Sequence, residues 1–435
     1  MRLPKIGLFR LLILMLATVM VFAIACGSDD DGDGDPTDTP AADAPTDAPG
    51  DDDLSFIPED TTGITDTEIL IGSHMPLTES SAAIFGNQIV PGMQAYFEYI
   101  NETQGGVNGR KIRLIVGDDH YLPSDTNLVV RKLVEQDGVF AIVSGLGTAQ
   151  HTAVFEYLTE NNIPDLFTAT GATLFTDPIT RTTFGYNPNY VQEGNAIGTY
   201  IAENFPAGTK VGLLIQNDDF GNDGKDGVES GLEGTDISIT TTETYEAVTS
   251  DMSAQVQRLK NDDVDVIVGY TLPLQSGSLI SVARATLDWD VPIIITGVSA
   301  DPITIALAGA EGEAEGVITT AYLIPTNQTD HAGIQKHIEI MAEYGGGAEA
   351  TNLSVYGQSV AELAVKVFTD AGQDINRRSV IAAAEQVRGF LCSVCLGTIN
   401  LSPTDHRSIE TFSFAIAEGD SWVLFGDLVS YETTP

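Results

Sequence analysis

Positive charge is what this chain has least of. Of its 435 residues only 20 are Lys or Arg, against 62 Asp or Glu, a formal net charge of −42. Nucleic acid needs a basic surface to neutralise its phosphates, so it is excluded as a partner. A surface this acidic suits a salty medium, where counter-ions screen self-repulsion. Cysteine is nearly absent too: there are three, Cys26, Cys392 and Cys395. A structural zinc site wants four ligands, and no second Cys pair or nearby His pair accompanies Cys392 and Cys395. A thioredoxin-like motif should open a helix after a strand, whereas this pair follows a helix-like run and precedes a strand-like one. The pair reads as a local disulfide, with free thiols or a metal or redox site as the alternatives.

The motifs of exported or nucleotide-using α/β enzymes are also missing. There is no Gly-x-Ser-x-Gly elbow to present a nucleophilic serine. There is no His-Glu-x-x-His pair and no Gly-x-x-x-x-Gly-Lys phosphate loop. Gly145-Leu-Gly147 lacks the third glycine of a dinucleotide fingerprint. The six His are scattered and none falls in a nucleophile–base pattern. The chain is therefore expected to be no enzyme, with no cofactor and no metal. Asp118-Asp119-His120 reads as capping or solvated carboxylates after a strand. A ligand-sensing receptor, the other rival, would need a membrane span beyond residue 430.

What is present begins at the N-terminus. Arg2, Lys5 and Arg10 precede an uncharged apolar run, Leu11 to Ala25, and then Cys26. A basic start, roughly 15 apolar residues and small residues before a cleavage point make a secretory signal; spanning a bilayer would take about 20. Cys26 after Ala23-Ile24-Ala25 is similar to a bacterial lipobox, so residues 1–26 are expected to be a lipoprotein signal with Cys26 lipidated. Residues 27–66 form an acidic tether, with Asp29, Asp30, Asp31, Asp33 and Asp35 clustered and little apolar surface to bury. No second long apolar run follows.

The remaining ~370 residues fit one large or two medium domains and alternate strand-like with helix-like segments. The first series runs through strands at 68–72, 111–116, 139–144 and 165–168, with helices at 85–103, 127–135 and 148–161. The pattern restarts with a helix at 193–205. Strands at 210–215, 241–245, 264–268 and 292–296 follow, with helices at 224–233, 252–261 and 275–287 between them. Later come a strand at 317–321, helices at 331–343, 355–371 and 379–387, and a hairpin of 411–417 with 422–428. This rhythm predicts α/β architecture: two lobes, each a doubly wound parallel sheet. Ligands of such sheets bind beyond the carboxyl ends of strands. That draws attention to the loops at 75–86, 118–124, 145–150, 169–173, 217–221, 270–275 and 297–302.

The residues then resemble a family. Glu68-Ile-Leu-Ile-Gly-Ser-His-Met-Pro-Leu-Thr78, Phe85-Gly86, Ile100-Asn-Glu-Thr-Gln-Gly-Gly-Val-Asn-Gly-Arg-Lys-Ile112 and Asp118-Asp119 carry the first half. Gly145-Leu-Gly-Thr148, Asn217-Asp-Asp-Phe-Gly221 and Val355-Tyr-Gly357 carry the rest. In order and spacing these are similar to the type I periplasmic solute-binding proteins of ABC importers, in the leucine/isoleucine/valine-binding branch. The resemblance implies two lobes joined by three crossovers near 189, 323 and 407. Lobe 1 would be 67–189 plus 323–407, and lobe 2 would be 190–322 plus 408–435. It implies an extracytoplasmic monomer that captures an amino-acid-like, amide or carboxylate solute and hands it to permease subunits with cytoplasmic ATPases. By position, Thr148 and Ala149, then Ala169, Thr170 and Gly171, would hold the ligand's polar end. Phe85, Tyr190, Phe220, Tyr270 and Tyr356 would wall it. Where amino-acid binders of the branch place a Glu for the ligand's ammonium, this chain has Gly297-Val-Ser299. Ser299 cannot pair an ammonium, and Asp301 is as well suited to capping a helix.

Overall fold

The computed structural model describes residues 54–432. The signal segment, Cys26 and most of the acidic tether lie outside them. Among the described residues no helix is long and apolar enough to cross a membrane.

The first sheet contains β1 (Glu68–Met75), β2 (Lys111–Asp118), β3 (Ile142–Val143), β4 (Asp165–Thr168) and β5 (Thr183–Gly185). Their order is β2-β1-β3-β4-β5, every pair parallel. β1 is central and buried from Ile69 onward, which is why it reads as an apolar run; β2, at the edge, begins by alternating. Helix α1 (Ala83–Gln104) covers one face, and α2 (Pro123–Arg131) and α3 (Thr148–Glu160) cover the other, closing Val130, Leu133, Val154 and Leu158 over Leu70 and Ile142.

The second lobe opens with α4 (Tyr190–Asn204) and winds β6 (Lys210–Gln216), α5 (Asp219–Leu232), β7 (Ser238–Tyr245), α6 (Ser253–Asn261) and β8 (Val266–Tyr270). It continues with α7 (Pro273–Ser281), β9 (Ile293–Ile295), α8 (Pro302–Leu307) and β10 (Ile318–Ala321). The chain then returns to pack α9 (Ala332–Tyr344) and α10 (Asn352–Asp370) on α1, adds α11 (Arg377–Ala384), and crosses back for the hairpin β11 (Thr411–Glu418) and β12 (Ser421–Ser430). The second sheet has the order β12-β11-β10-β9-β8-β6-β7. Strands β6 to β10 are parallel, while β11 and β12 are antiparallel, so this sheet is mixed at one edge. Both parallel portions reverse direction at one switch point, between β1 and β3 in one lobe and between β6 and β8 in the other. Open sheets of this kind bind ligands there.

Two elements were not legible: β5 and α8, of 3 and 6 residues, are too short to show a period. Helix α5 begins at Asp219 rather than 224. Asp218, which reads as part of a loop, is its N-cap, accepting from the backbone N–H of Phe220 at 3.2 Å and Gly221 at 3.4 Å. Four glycines in its 14 residues weaken helix propensity by about 1 kcal/mol each. They are there for contact: a Cβ on Gly227 would fall 2.3 Å from the Val191 carbonyl oxygen and 2.8 Å from Gly194 Cα. Helices α4 and α5 therefore touch backbone to backbone.

Candidate functional site

Two strand ends in lobe 1 turn through residues with positive φ, Ser144 (57°) after β3 and the pair His120 (52°) and Tyr121 (60°) after β2, and Phe167 (63°) marks an irregularity within β4. Non-glycine residues in this region are uncommon and strained. Asp118 and Asp119 hold the turn after β2, accepting from the backbone N–H of His120 at 3.1 Å and of Tyr121 at 3.0 Å. Asp118 also accepts from Leu77 N–H at 2.9 Å, so the Asp118-Asp119-His120 run is turn chemistry. The result is to aim Tyr121 into the cleft.

The cleft between the lobes is narrow and partly open to solvent. Lobe 1 contributes Phe85, Tyr121 and Tyr356; lobe 2 contributes Tyr190, Phe220 and Trp422; Tyr322 comes from the returning chain. No Asp, Glu, Lys, Arg or His among the described residues lines it. Burial pushes the hydroxyl pKa values of Tyr121, Tyr190, Tyr322 and Tyr356 up, so these phenols stay neutral. The wall therefore carries no ionised side chain.

Polar groups are few and placed. Thr148 and Thr170 share a hydroxyl–hydroxyl hydrogen bond of 2.7 Å. The Tyr356 hydroxyl donates to Asn187 Oδ1 at 2.8 Å. Helix α3 starts at the cleft with no side-chain cap, so its first N–H groups are open to an acceptor. Gly147 precedes it with φ 101°, and a Cβ there would meet Gln150 Oε1 at 2.3 Å and the Tyr121 ring at 2.7 Å. The lobes are joined directly as well: Thr173 N–H donates to Asp223 Oδ2 at 2.7 Å and the Ser81 hydroxyl to the Ala247 carbonyl at 3.0 Å.

Of the residues singled out from the sequence, Phe85, Thr148, Ala169, Tyr190, Phe220 and Tyr356 line the cleft, and Ala149, Thr170, Gly171, Tyr270 and Ser299 do not. Ala149 follows Thr148 in α3. Thr170 is buried and shares its hydroxyl hydrogen bond with Thr148. The Gly171 carbonyl accepts from Tyr190 N–H at 2.9 Å, and a Cβ on Gly171 would meet the Pro188 carbonyl at 2.0 Å. Tyr270 stands behind the wall, its ring centroid 5.6 Å from that of Phe220 and its hydroxyl donating to the Tyr190 carbonyl at 3.2 Å. Ser299 points into lobe 2, donating to the Thr271 carbonyl at 2.6 Å. Asp301 caps α8 through Ile303 N–H at 2.9 Å and also accepts from Leu353 N–H of lobe 1 at 3.2 Å.

Tyr121, Asn187, Tyr322 and Trp422 also line the cleft, unmarked by any local pattern in the sequence, and one carboxylate stands behind the wall. Glu193 of α4 accepts from Gly297 N–H at 2.7 Å, from the Thr296 hydroxyl at 2.9 Å and from the Thr320 hydroxyl. Burial pushes its pKa up while these donors pull it down. Its oxygens are occupied, so it offers the cleft no acceptor. The wall at Tyr322–Ile324 has its own brace. Cys392 and Cys395 are joined by a disulfide, and their loop pairs with the returning chain. There Ile324 N–H donates to the Val394 carbonyl at 2.8 Å and Leu396 N–H to the Tyr322 carbonyl at 3.1 Å.

This geometry has counterparts. The family described as periplasmic binding protein matches residues 68–421. The Leu/Ile/Val-binding protein homolog 2 of Brucella abortus (strain 2308) is 27% identical over 352 residues, 80% of this chain and 90% of that protein. A branched-chain amino acid ABC transporter protein from Thermus thermophilus, solved with bound valine, superposes with a TM-score of 0.76 at 19% identity, covering 84% of this chain and 97% of that one. A fatty acid ABC transporter substrate-binding protein from Thermomonospora curvata gives a TM-score of 0.73 at 21% identity, covering 86% and 95%. With a family match across most of its length, the chain belongs to the periplasmic binding protein family, and its two-lobed fold is that of the solved type I members it resembles.

Proposed function

We propose that this protein is the lipid-anchored, extracytoplasmic solute-binding component of an ABC importer, and that its solute has an apolar body and one hydrogen-bonding head without an ammonium group. The observation that carries this is the uncharged, aromatic-walled cleft. Ligand pockets are mostly apolar with a few placed polar groups; here those are Thr148 and the uncapped start of α3, suited to a carboxylate or amide. An ammonium would find no carboxylate counter-ion, since Glu193 and Asp301 are engaged elsewhere, and burying a charge without one is costly.

The lobes divide at 67–189 plus 323–407 and 190–322 plus 408–435. The solute docks on lobe 1 through Thr148, and closure brings Phe220, Tyr190 and Trp422 over it and expels water. Ligand favours closure only as far as it binds the closed form better. The closed monomer then engages permease subunits, which with their ATPases perform transport. Cys26 and the acidic tether keep the domain at the membrane.

A thermal-shift screen tests this, because ligand that binds only the folded state raises the melting temperature. Short amides, urea, aromatic acids and medium-chain carboxylates are compared with leucine and valine. Stabilisation by an ammonium-free class supports the reading. Stabilisation by leucine or valine alone overturns the ligand class while leaving solute binding in place.

A further inference from the structure

Beneath the 145–148 loop, four titratable side chains form an unbroken buried chain. Asp119 Oδ2 lies 2.9 Å from His74 Nδ1, His74 Nε2 lies 3.0 Å from His151 Nδ1, and His151 Nε2 lies 2.7 Å from Asp165 Oδ2. All four are fully shielded from solvent. They come from β1, the β2–α2 turn, α3 and β4, so only the fold brings them together.

The protons can be counted. Each of the three contacts sets two heteroatoms at hydrogen-bond distance and needs one proton between them. Two neutral imidazoles bring one proton each, and two ionised carboxylates bring none. The chain is one proton short. Without it, two nitrogen lone pairs would face each other between His74 and His151.

We propose that the Asp119–His74–His151–Asp165 chain holds a third, buried proton, so that it carries one net negative charge, and that this proton fixes the ligand loop in place. The loop rests on the imidazole pair: a Cβ on Gly145 would lie 2.4 Å from His74 Nε2 and 2.9 Å from His151 Nδ1. Leu146 N–H donates to the His74 carbonyl at 3.2 Å, and His151 lies on the first turn of α3, beside Thr148. At the other end, Asp119 Oδ1 holds Tyr121 N–H at 3.0 Å. Two of the lobe 1 contributions to the cleft, the 145–148 loop and Tyr121, therefore stand on this chain.

The ends differ. Asp119 receives three donors, His74, Tyr121 N–H and the Thr126 hydroxyl at 3.0 Å. Asp165 Oδ1 has no hydrogen-bond partner. That asymmetry puts the extra proton toward the Asp165 end. The charged groups acting on His74 are those of the chain itself, Asp119, His151 and Asp165. Asp118, His120 and Asp125 on the neighbouring turn pair with one another. From the other elements, Phe175 packs its ring 5.0 Å from that of His151, and Thr182 accepts from Asp165 N–H. Burial outweighs the hydrogen bond to Asp119 and holds the His74 pKa below the ordinary imidazole value, so His74 is the neutral ring of the pair. Removal of the third proton at alkaline pH would place like lone pairs together under the ligand loop, weakening solute binding by roughly tenfold, the worth of one buried hydrogen bond.

That consequence rests on the 145–148 loop being part of the ligand cleft, but the proton count is testable with no solute present. Imidazole nitrogens and the backbone amides of 145–148 are followed by NMR in the full chain across a neutral-to-alkaline titration. The expected result is a proton in the His74–His151 contact at neutral pH, lost at a midpoint that the loop amides share. His151→Gln should abolish the amide shift where it folds; the wild-type titration decides without it. Two neutral rings at pH 7, with no proton between them, would overturn the proposal. So would loop amides that stay still while the rings titrate. Failure of the solute screen touches neither result.

Discussion

Removing the Glu193 carboxylate should cost both stability and the shape of the cleft. In Glu193→Ala three donors lose their acceptor: Gly297 N–H, the Thr296 hydroxyl and the Thr320 hydroxyl. The hydroxyls can rotate toward other acceptors, and Thr320 and Thr296 each then cost about 0.5–1 kcal/mol. The Gly297 amide cannot turn and loses a charge-assisted bond of about 1.5–3 kcal/mol. Together these come to about 2.5–5 kcal/mol, near the cost of breaking other buried charged contacts. Glu193→Gln keeps a carbonyl for Gly297 and should cost about 1 kcal/mol. Urea unfolding reads both as a fall in midpoint at constant slope. Because Gly297 and Val298 line the cleft, ligand affinity should fall with Ala and hold with Gln. Equal stability of Ala and wild type would refute the argument, showing that the desolvation of the buried carboxylate cancels its hydrogen bonds. Loss of binding in Gln without loss of stability would instead make Glu193 a ligand contact.

Three further outcomes are expected. Thr148→Ala should weaken ligand binding roughly fivefold, the worth of about 1 kcal/mol, without changing the melting temperature by more than a few degrees; unchanged affinity by calorimetry would move the polar end of the site elsewhere. Glu410, at the third crossover, has its pKa raised from 4.5 to about 7 by burial and by Asp405. An acid raised on folding takes up a proton, so its contribution is neutral below about 4.5 and becomes a growing penalty as pH rises to about 7. The difference in melting temperature between Glu410→Gln and wild type should therefore widen across that window, and a flat difference counts against it. Replacing Cys392 and Cys395 by Ser should cost about 2 kcal/mol for so short a closed loop and also loosen Tyr322–Ile324. Affinity should fall with it, whereas a loss of stability alone would confine the disulfide to a structural role.

What could be read from the chain follows the length and regularity of its segments. The long strands and helices, from Ile69-Leu-Ile71 to the β11–β12 hairpin, carry enough period to announce themselves. So does the restart of the pattern that makes a second lobe. Cleft residues were legible where a strand end meets glycine, as at Gly147-Thr148 and Phe220-Gly221. They were illegible where position depends on topology. Tyr322 walls the cleft because the chain returns there between sheets, and Trp422 because a hairpin joins the far edge of the second. Tyr121 is aimed inward by a left-handed turn that no local pattern of Gly or Asn foretells. His74 and His151, 77 residues apart, look scattered until β1 and α3 meet.

The loop closed by Cys392 and Cys395 ties the cleft wall to the redox state of its surroundings. In a reducing cytosol that loop would be held by hydrogen bonds alone, and the chain segment it flanks is the wall at Tyr322–Ile324. The family works outside the cytoplasm, where a thiol pair can oxidise and stay oxidised. Oxidation then adds a covalent tie beside the Tyr322–Ile324 wall, which two backbone hydrogen bonds hold otherwise.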